Sequence, residues 1–522
     1  MTQEDLTKAS RDELIELVLD SDRIAQRERE QRLQAEQQLR WFKNQLFGQK
    51  SERRIDLLPD PHQLHLGESL VQKKAEGVAS SQVRSHARRK KPQRDEATDS
   101  GLRFDDTVPV VRIVIPNPEL KNVADSDQIV IEERITHRLA QRPASYTVIE
   151  IVRRVIKRRD TGEITCPPAP PSVLEKSYAD VSLLAGMLVD KFSYHLPLYR
   201  QHQRMKAAGI EVSRASLTNW TLRAIALLEP IYLAQRASVL RSSVLAMDET
   251  PIRAGRKAKG KMKTAYFWPM YGDQDEVVFP YAASRAHRNV ESLLGDFEGT
   301  LLTDGYGAYP AYAERREKVE HALCWAHTRR GFIKAEGVEP ELAARSLKYI
   351  AKLYEIEAEI KERGCDRAAK LAIRGDRSRQ VVAEFFQWLP EELAAKALLP
   401  TNPFTIAASY ALERRKGLEV FLANPDLAID TNHLERTLRP IPMGRKNWLF
   451  CWTELGAERV GQIQSLIATC RLHEVDPYVY LVDVLQRIEI HPQARVDELT
   501  PRLWKERFAD HPMRSAIDPD PG

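Results

Sequence analysis

The feature that most constrains this chain lies between Ser243 and Cys324, where short apolar runs alternate with turns around a single helix and two of those runs stop on an aspartate. Ser243 to Met247 is apolar and ends at Asp248. Ala265 to Tyr271 and Glu276 to Tyr281 read as two more strands, separated by the turn residues Gly272 and Asp273. A helix is expected from about Asn289 to Phe297. It is followed by a strand from Thr300 to Thr303 that ends at Asp304, and by a strand-like run from Val319 to Cys324. Three antiparallel strands, a helix and a returning strand bring the first and fourth strands side by side. Asp248 and Asp304 then sit next to each other at strand ends, where side chains can converge on a ligand.

This strand order matches the RNase H-like fold, and it occupies only part of the chain. A length of 522 residues exceeds what one core supports, so several domains are expected. Residues 1–50 read as one long helix: Ser10 with Glu13 makes a capping box, and no Gly or Pro intervenes before Gly48. Heptad-spaced apolar residues from Leu17 to Ile24 and Leu39 to Leu46 suggest an imperfect coiled coil, since Gln31 and Gln38 interrupt the register. Dimerisation and packing on the rest of the chain both remain open. Residues 51–106 read as a basic flexible linker. A small β domain is expected over 107–171, including Ile129 to Ile131 and Tyr146 to Ile156. Residues 172–238 are helical and resemble a helix-turn-helix: one helix from about Pro197 to Ala208 ends at Gly209, and Ser213 caps the next. In that reading Arg214, Ser216 and Asn219 face a DNA groove, although two ordinary packed helices give the same pattern. The catalytic region is expected to span 239–334, a helical insertion 335–424, a glutamate-bearing helix with a basic turn 425–450, and a helical C-terminal region 451–522.

Charge points to a partner through its clustering rather than its sum. The net charge is only +5, yet Arg84, Arg88, Arg89, Lys90, Lys91 and Arg94 fall close together, as do Arg153, Arg154, Lys157, Arg158 and Arg159, and Arg436, Arg439, Arg445 and Lys446. Nucleic acid is the anionic partner such clusters fit, while solvated surface is the plainer reading of any single run. No run approaches the roughly 18 apolar residues of a membrane span, and the acidic, polar N-terminus is unlike a secretory signal, so a cytoplasmic location without membrane association is expected. Five cysteines, odd in number and widely spaced, suggest neither a disulfide framework nor a cysteine-rich metal site.

Carboxylates gathered at strand ends suit hard divalent cations. Hydrolysis or transfer of a phosphodiester needs an acidified attacking oxygen and a stabilised leaving oxygen, which two ions about 4 Å apart supply together. Magnesium prefers carboxylate oxygen to the nitrogen or sulfur of His or Cys, and manganese can replace it. Asp248, Asp304 and a helical Glu435 flanked by Arg436 and Arg439 are the candidates. Asp248 is assigned to bridge both ions, Asp304 to bind one and Glu435 the other. Composition cannot select them, because the chain holds 74 acidic residues.

Several stretches resemble the transposases of the insertion-sequence 66 family. They are His195 to Arg200; Asp248, Glu249, Thr250 and Pro251; Thr303 to Tyr306 with Tyr309; and Cys324 to His327 with Arg329 and Arg330. Most specific is Asn432, Glu435, Arg436, Leu438, Arg439 and Pro440, followed by Gly444 to Phe450, and Gly456 to Arg459 extend it. Phe47, Gly48 and Lys50 to Arg53 resemble the end of the family's zipper-like segment. The resemblance implies a DDE triad of Asp248, Asp304 and Glu435 on an RNase H-like domain, and it is what fixes Glu435 as the third member. It also implies an enzyme that binds terminal inverted repeats, cleaves at element ends and joins 3′-hydroxyls to target DNA.

One departure stands out. The family usually carries a zinc segment with two paired-cysteine motifs, and here only Cys166 remains in that stretch, so no zinc is predicted. His327 and Arg329 are candidates for supporting the acidic centre, and Arg445 and Lys446, just past the glutamate helix, for holding phosphates. The expected protein is thus an α+β multidomain enzyme with double-stranded DNA as partner, self-association through the N-terminal helix, a bacterial nucleoid location, and room for small accessory proteins of the same element. An RNase H-like nuclease without strand transfer and an inactive DNA-binding remnant are the rival readings.

Overall fold

Prolines, more than strand propensity, decide how the sheets divide. The computed structural model describes residues 101–518 apart from 107, 122, 125–126, 143–144, 259–260, 397, 449–450 and 452. The expected N-terminal helix, the first basic cluster and most of the linker lie outside the described residues.

The β-rich stretch begins with β1 (Arg103–Phe104) and β2 (Val110–Ile115). It continues as a long hairpin of β3 (Gln128–Arg142) and β4 (Ser145–Arg158), closed by β5 (Ile164–Thr165). β2 runs parallel to β4 and β3 antiparallel to it, with an irregularity between Val130 and Glu132. Tyr146 and Val148 join the main core, whereas Ile149 and Ile151 pack with Ile517. Much of the second basic cluster, on and just after β4, is already engaged: Arg154 pairs with Glu133 and Arg158 with Asp160, and Arg153 donates to the Pro167 carbonyl. Cys166 is a free, half-buried thiol.

The hairpin leans on helices. The Leu139 N–H donates to the Tyr178 carbonyl at 2.6 Å, and Asp180 returns a bond to Leu139. Asp180 caps α1 (Val181–Phe192) by accepting from the Ser182 amide. Gly186 on that helix lets Gln141 pack close, since a Cβ there would fall 2.7 Å from Gln141 Oε1 and push that side chain aside. Next come α2 (Leu198–Ala207), β6 (Ile210–Glu211), α3 (Arg214–Leu227) and α4 (Glu229–Leu240). Gly209, at φ +80°, ends α2, and Ser213 caps α3 as expected. The connection between those helices is more than a bare turn, because β6 pairs antiparallel with β1.

The central strands are β7 (Val244–Met247), β8 (Thr250–Ala258), β9 (Lys261–Phe267), β10 (Met270–Gly272), β11 (Val277–Val278) and β12 (Tyr281–Ala282). After α5 (His287–Leu294) come β13 (Gly299–Thr303), α6 (Ala308–Ala313) and β14 (Val319–Leu323). One sheet has the order β11-β10-β7-β13-β14, and a smaller one the order β12-β9-β8. β7 and β13 are parallel neighbours, with Val244 beside Thr300 and Ala246 beside Leu302. The side-by-side placement expected of the strands ending at Asp248 and Asp304 is therefore observed.

Two expected strands are corrected. The run Ala265–Tyr271 is broken at Trp268–Pro269 and the run Glu276–Tyr281 at Phe279–Pro280, because proline cannot donate to a ladder. The broken ends then bond elsewhere: Trp268 N–H donates to the Pro280 carbonyl at 2.9 Å, and Asp248 N–H to the Pro269 carbonyl at 3.2 Å. The β8–β9 hairpin was not anticipated, since its lysines and arginines hide the alternation that marks a strand.

After α7 (Trp325–Ala335), helices run through the stretch read as an insertion: α8 (Pro340–Glu362), α9 (Arg367–Ile373), a π-turn over Arg374–Ser378, α10 (Arg379–Lys396), α11 (Pro403–Glu413) and α12 (Arg415–Glu419). Arg374 is fully buried and uses its whole fork. It makes two 2.7 Å bonds to Glu357 and donates to the carbonyls of Phe421, Asn424 and Leu427 at 2.7 to 3.0 Å. The insertion is thereby fastened to the segment that leads into α13 (Asn432–Leu438). α14 (Pro440–Trp448), α15 (Glu454–Leu472), α16 (Pro477–Arg487) and α17 (Pro501–Arg507) complete the chain. The expected basic turn at Gly444 to Asn447 is helical instead, as part of α14. Gln235 on α4 ties this C-terminal layer to the sheet by donating to Val277 O and Thr469 Oγ1, each at 2.8 Å.

Candidate active site

Both aspartates stand where a parallel strand runs out. The ladder between β7 and β13 ends at the pair Ala246–Leu302, so the chains turn just beyond it and the next carboxylates share a space. Asp248 Oδ1 accepts from the Glu249 amide at 2.7 Å, and Asp304 Oδ1 from the Tyr306 amide at 2.9 Å. Behind Asp304, Thr303 Oγ1 meets His321 Nε2 at 2.8 Å. Burial pushes the His321 pKa down to about 4, so this ring is neutral at neutral pH and supports the strand end without adding charge.

Ligand oxygens of Asp248, Asp304 and Glu249 all lie within 4.8 Å of one another. Burial raises the Asp248 carboxyl to about 7, and the charges of Glu249, Asp304 and Glu435 add to the rise against the opposing pull of the Glu249 amide. Such a carboxyl is short of cationic compensation.

Glu435 belongs to the same electrostatic neighbourhood but not to that close set. It sits in the first turn of α13, where its carboxylate pairs with Arg330 of α7. Side-chain sulfur and backbone join the two helices: Cys324 Sγ accepts from the Thr431 amide at 3.3 Å and hydroxyl at 3.4 Å, and the Trp325 N–H donates to Ile429 at 3.1 Å. Asp430 caps the helix start through the Asn432 amide and also receives the Tyr354 hydroxyl at 2.8 Å.

The other expected residues divide. His327 Nε2 lies 3.1 Å from Arg330, and burial, with Arg330 beside it, lowers its pKa, so a neutral ring backs the arginine that holds Glu435. Arg329 is exposed, and its neighbour Arg330 is the one on the carboxylate. Arg436, Arg439 and Lys446 are exposed, while Arg445 donates to the Pro251 carbonyl next to the acidic strand end. Arg214 and Asn219 are exposed on α3, with Arg214 near the Tyr199 ring. Ser216 is committed to its own helix start, its amide 3.0 Å and its hydroxyl 2.9 Å from Ser213 Oγ.

Sequence reasoning passed over four residues here. Glu249, Tyr309 and Arg330 lay inside quoted motifs, so the signal existed but carried no role; Arg285 belonged to no motif. Glu249 is nearly buried, with 4% of its side chain exposed, and it pairs with Arg285 and the Tyr309 hydroxyl.

Residues 176–459 match the Transposase IS66 family, residues 465–502 the IS66 C-terminal element, and residues 34–113 the Transposase C of IS166 homeodomain. The chain belongs to the IS66 transposase family. Similar proteins of Sinorhizobium fredii strain NGR234 include Uncharacterized protein y4hP, 30% identical over 508 residues that cover 91% of this chain and 89% of that protein. Uncharacterized protein y4qI is 30% identical over 401 residues, 73% of each chain. Family membership supports a role in transposition with DNA as partner, and it suggests use of a divalent metal. No helix among the described residues is long and apolar enough to cross a membrane.

Proposed function

We propose that this chain binds the terminal inverted repeats of its own insertion sequence, cleaves at the element ends and joins the exposed 3′-hydroxyls to target DNA. The observation that carries the reading is the pair of parallel neighbouring strands ending at Asp248 and Asp304, with Glu435 close enough to raise the Asp248 carboxyl. A sheet of three antiparallel and two parallel strands in this order supports an RNase H-like catalytic core, interrupted by the helical insertion.

The donor set fits two magnesium or manganese ions. It is all oxygen, half-buried and over-supplied with negative charge, with Asp248 held partly protonated at neutral pH. Asp248, Asp304 and Glu435 would hold the ions, Asp248 as the carboxylate common to both, and Glu435 would have to give up its pairing with Arg330 to do so. When bound, such ions acidify the attacking oxygen and stabilise the leaving one. The chain's own residues do the rest. The Tyr306 and Glu249 amides aim the aspartates, Arg330 would be available to face phosphate once Glu435 turned to a metal, and Arg445 lies beside the acidic strand end. α2 and α3 form the DNA-reading segment with Arg214 and Asn219 outward, and the N-terminal helix joins copies of the chain, with accessory proteins of the element as further partners. The site requires no thiolate zinc.

The test is strand transfer. Purified protein with magnesium should move a labelled oligonucleotide carrying the element's end into plasmid DNA, and Asp248→Asn should abolish both cleavage and joining. Cleavage without joining would make it a nuclease of the same fold; no activity in the unaltered protein would leave a DNA-binding remnant.

A further inference from the structure

The carboxylate beside the first strand end differs from its neighbours in having both oxygens occupied. Arg285, on the loop between β12 and α5, pairs with Glu249 Oε1, while Oε2 accepts from the Tyr309 hydroxyl at 2.7 Å. Tyr309 is fully buried, so swinging the Glu249 carboxylate toward another ligand would strand a buried hydroxyl. Glu249 shares the space of Asp248 and Asp304, but its lone pairs are committed.

Arg285 is the outward part of this arrangement. Its side chain remains 44% exposed, and its guanidinium lies 4.0 Å over the Tyr306 ring. The Tyr306 hydroxyl donates to the Arg285 carbonyl, and the Tyr306 ring stands edge-on to Tyr309 at 5.9 Å. Through its amide the same Tyr306 holds Asp304 Oδ1. One tyrosine thus fixes both an acidic ligand and the arginine next to it. Guanidinium has five donors, and a fork held by a carboxylate at one edge and an aromatic ring on one face keeps its other donors oriented outward with little entropy left to lose. A phosphodiester oxygen is the ligand that such a fork fits beside an acidic centre, because phosphate brought there meets repulsion from the carboxylates unless a cation accompanies it.

We propose that Arg285 grips the DNA backbone at the phosphate adjacent to the reacting one, and that Glu249 and Tyr306 are positioning residues for it, with Glu249 not a metal ligand. This rests on the reading of Asp248 and Asp304 as metal ligands. Glu249 and Tyr306, which hold Arg285, sit on the turns that carry Asp248 and Asp304, so they set the distance between the gripped phosphate and the acidic pair.

The experiment uses the full chain, with manganese alone as one probe and a fluorescein-labelled random-sequence duplex in calcium as the other. Free-manganese titration by electron paramagnetic resonance should give the same affinity, within about twofold, for the unaltered protein, Arg285→Ala and Glu249→Gln. Arg285→Ala should weaken duplex binding about three- to tenfold and reduce the salt slope by about one phosphate's worth, close to 0.9. Tyr306→Leu should reproduce part of that loss, and Glu249→Gln should add nothing to Arg285→Ala in the double variant. Loss of manganese from Glu249→Gln, or an unchanged salt slope in Arg285→Ala, would overturn the proposal. Because Glu249 is buried, Arg285→Ala on the exposed loop keeps the test decisive if Glu249→Gln does not fold. Asp248→Asn is the separate control: if it still binds manganese, the metal-site reading fails instead.

Discussion

The two halves of the acidic centre are built on different principles. Asp248 and Asp304 are carried by neighbouring parallel strands inside the sheet, and backbone amides one and two residues on hold their oxygens. Glu435 comes from a short helix 131 residues after Asp304 (435 − 304), with 30% of its side chain exposed, and is held by one exposed arginine. Strand ends fixed by a ladder give preorganised ligands. A helix fastened through Cys324, Ile429 and the buried Arg374 gives a ligand whose position depends on a large insertion staying folded.

That contrast can be broken most forcefully at the chemistry. Asp248→Asn or Asp304→Asn should lower strand transfer by about 10³-fold or more, since the strand-borne carboxylates have no substitute, whereas Glu435→Gln should cost somewhat less, about 10²-fold. Quantitative transfer assays check this, and equal losses at all three positions would erase the distinction between the halves.

Next in size is the fastening of the helical half. Arg374→Met removes a buried cation and leaves Glu357 and three carbonyls without their donor, which should cost about 3–5 kcal/mol in urea unfolding. Transfer should fall with it while manganese affinity at Asp248 and Asp304 persists. Loss of manganese binding in a folded Arg374→Met protein would mean that the strand-borne pair depends on the insertion too.

The strand-borne half should also reveal itself through pH. Burial among like charges pushes the Asp248 carboxyl up to about 7, well above the ordinary carboxylate value of 3.8. Its contribution is fully present below about pH 4 and is lost as pH rises through about 7, because the unfolded chain ionises first. Metal-free protein should therefore weaken over that window by on the order of 4 kcal/mol. Asp248→Asn should flatten the change in thermal denaturation, and added magnesium should restore stability more at pH 8 than at pH 5.

The smallest effect sharpens the joint between the halves. Cys324→Ala deprives the Thr431 amide and hydroxyl of their acceptor and should cost about 1 kcal/mol, with only a few-fold loss of transfer. A much larger loss would make this sulfur contact the main determinant of where Glu435 sits.

Local chemistry made much of the centre legible. Apolar runs stopping at Asp248 and Asp304, and a helix between them, are patterns of neighbouring residues, and strand order follows from short connections. Gly209 and Ser213 likewise marked the boundaries of α2 and α3. The breaks before Pro269 and Pro280 were readable in principle but were masked by continuous apolar runs. The extension of α14 through Gly444 to Asn447 contradicts the local preference of glycine and asparagine and depends on packing.

What the sequence by itself determined is the placement of Asp248 and Asp304 at the ends of adjacent strands, since periodicity and turn chemistry act over a few residues. Only the tertiary structure decided which carboxylate each arginine holds. Pairing Glu249 with Arg285 and Tyr309, and Glu435 with Arg330 rather than its neighbour Arg329, spans 36, 60 and 105 residues. Contacts at that separation arise from how elements pack, which no local pattern encodes.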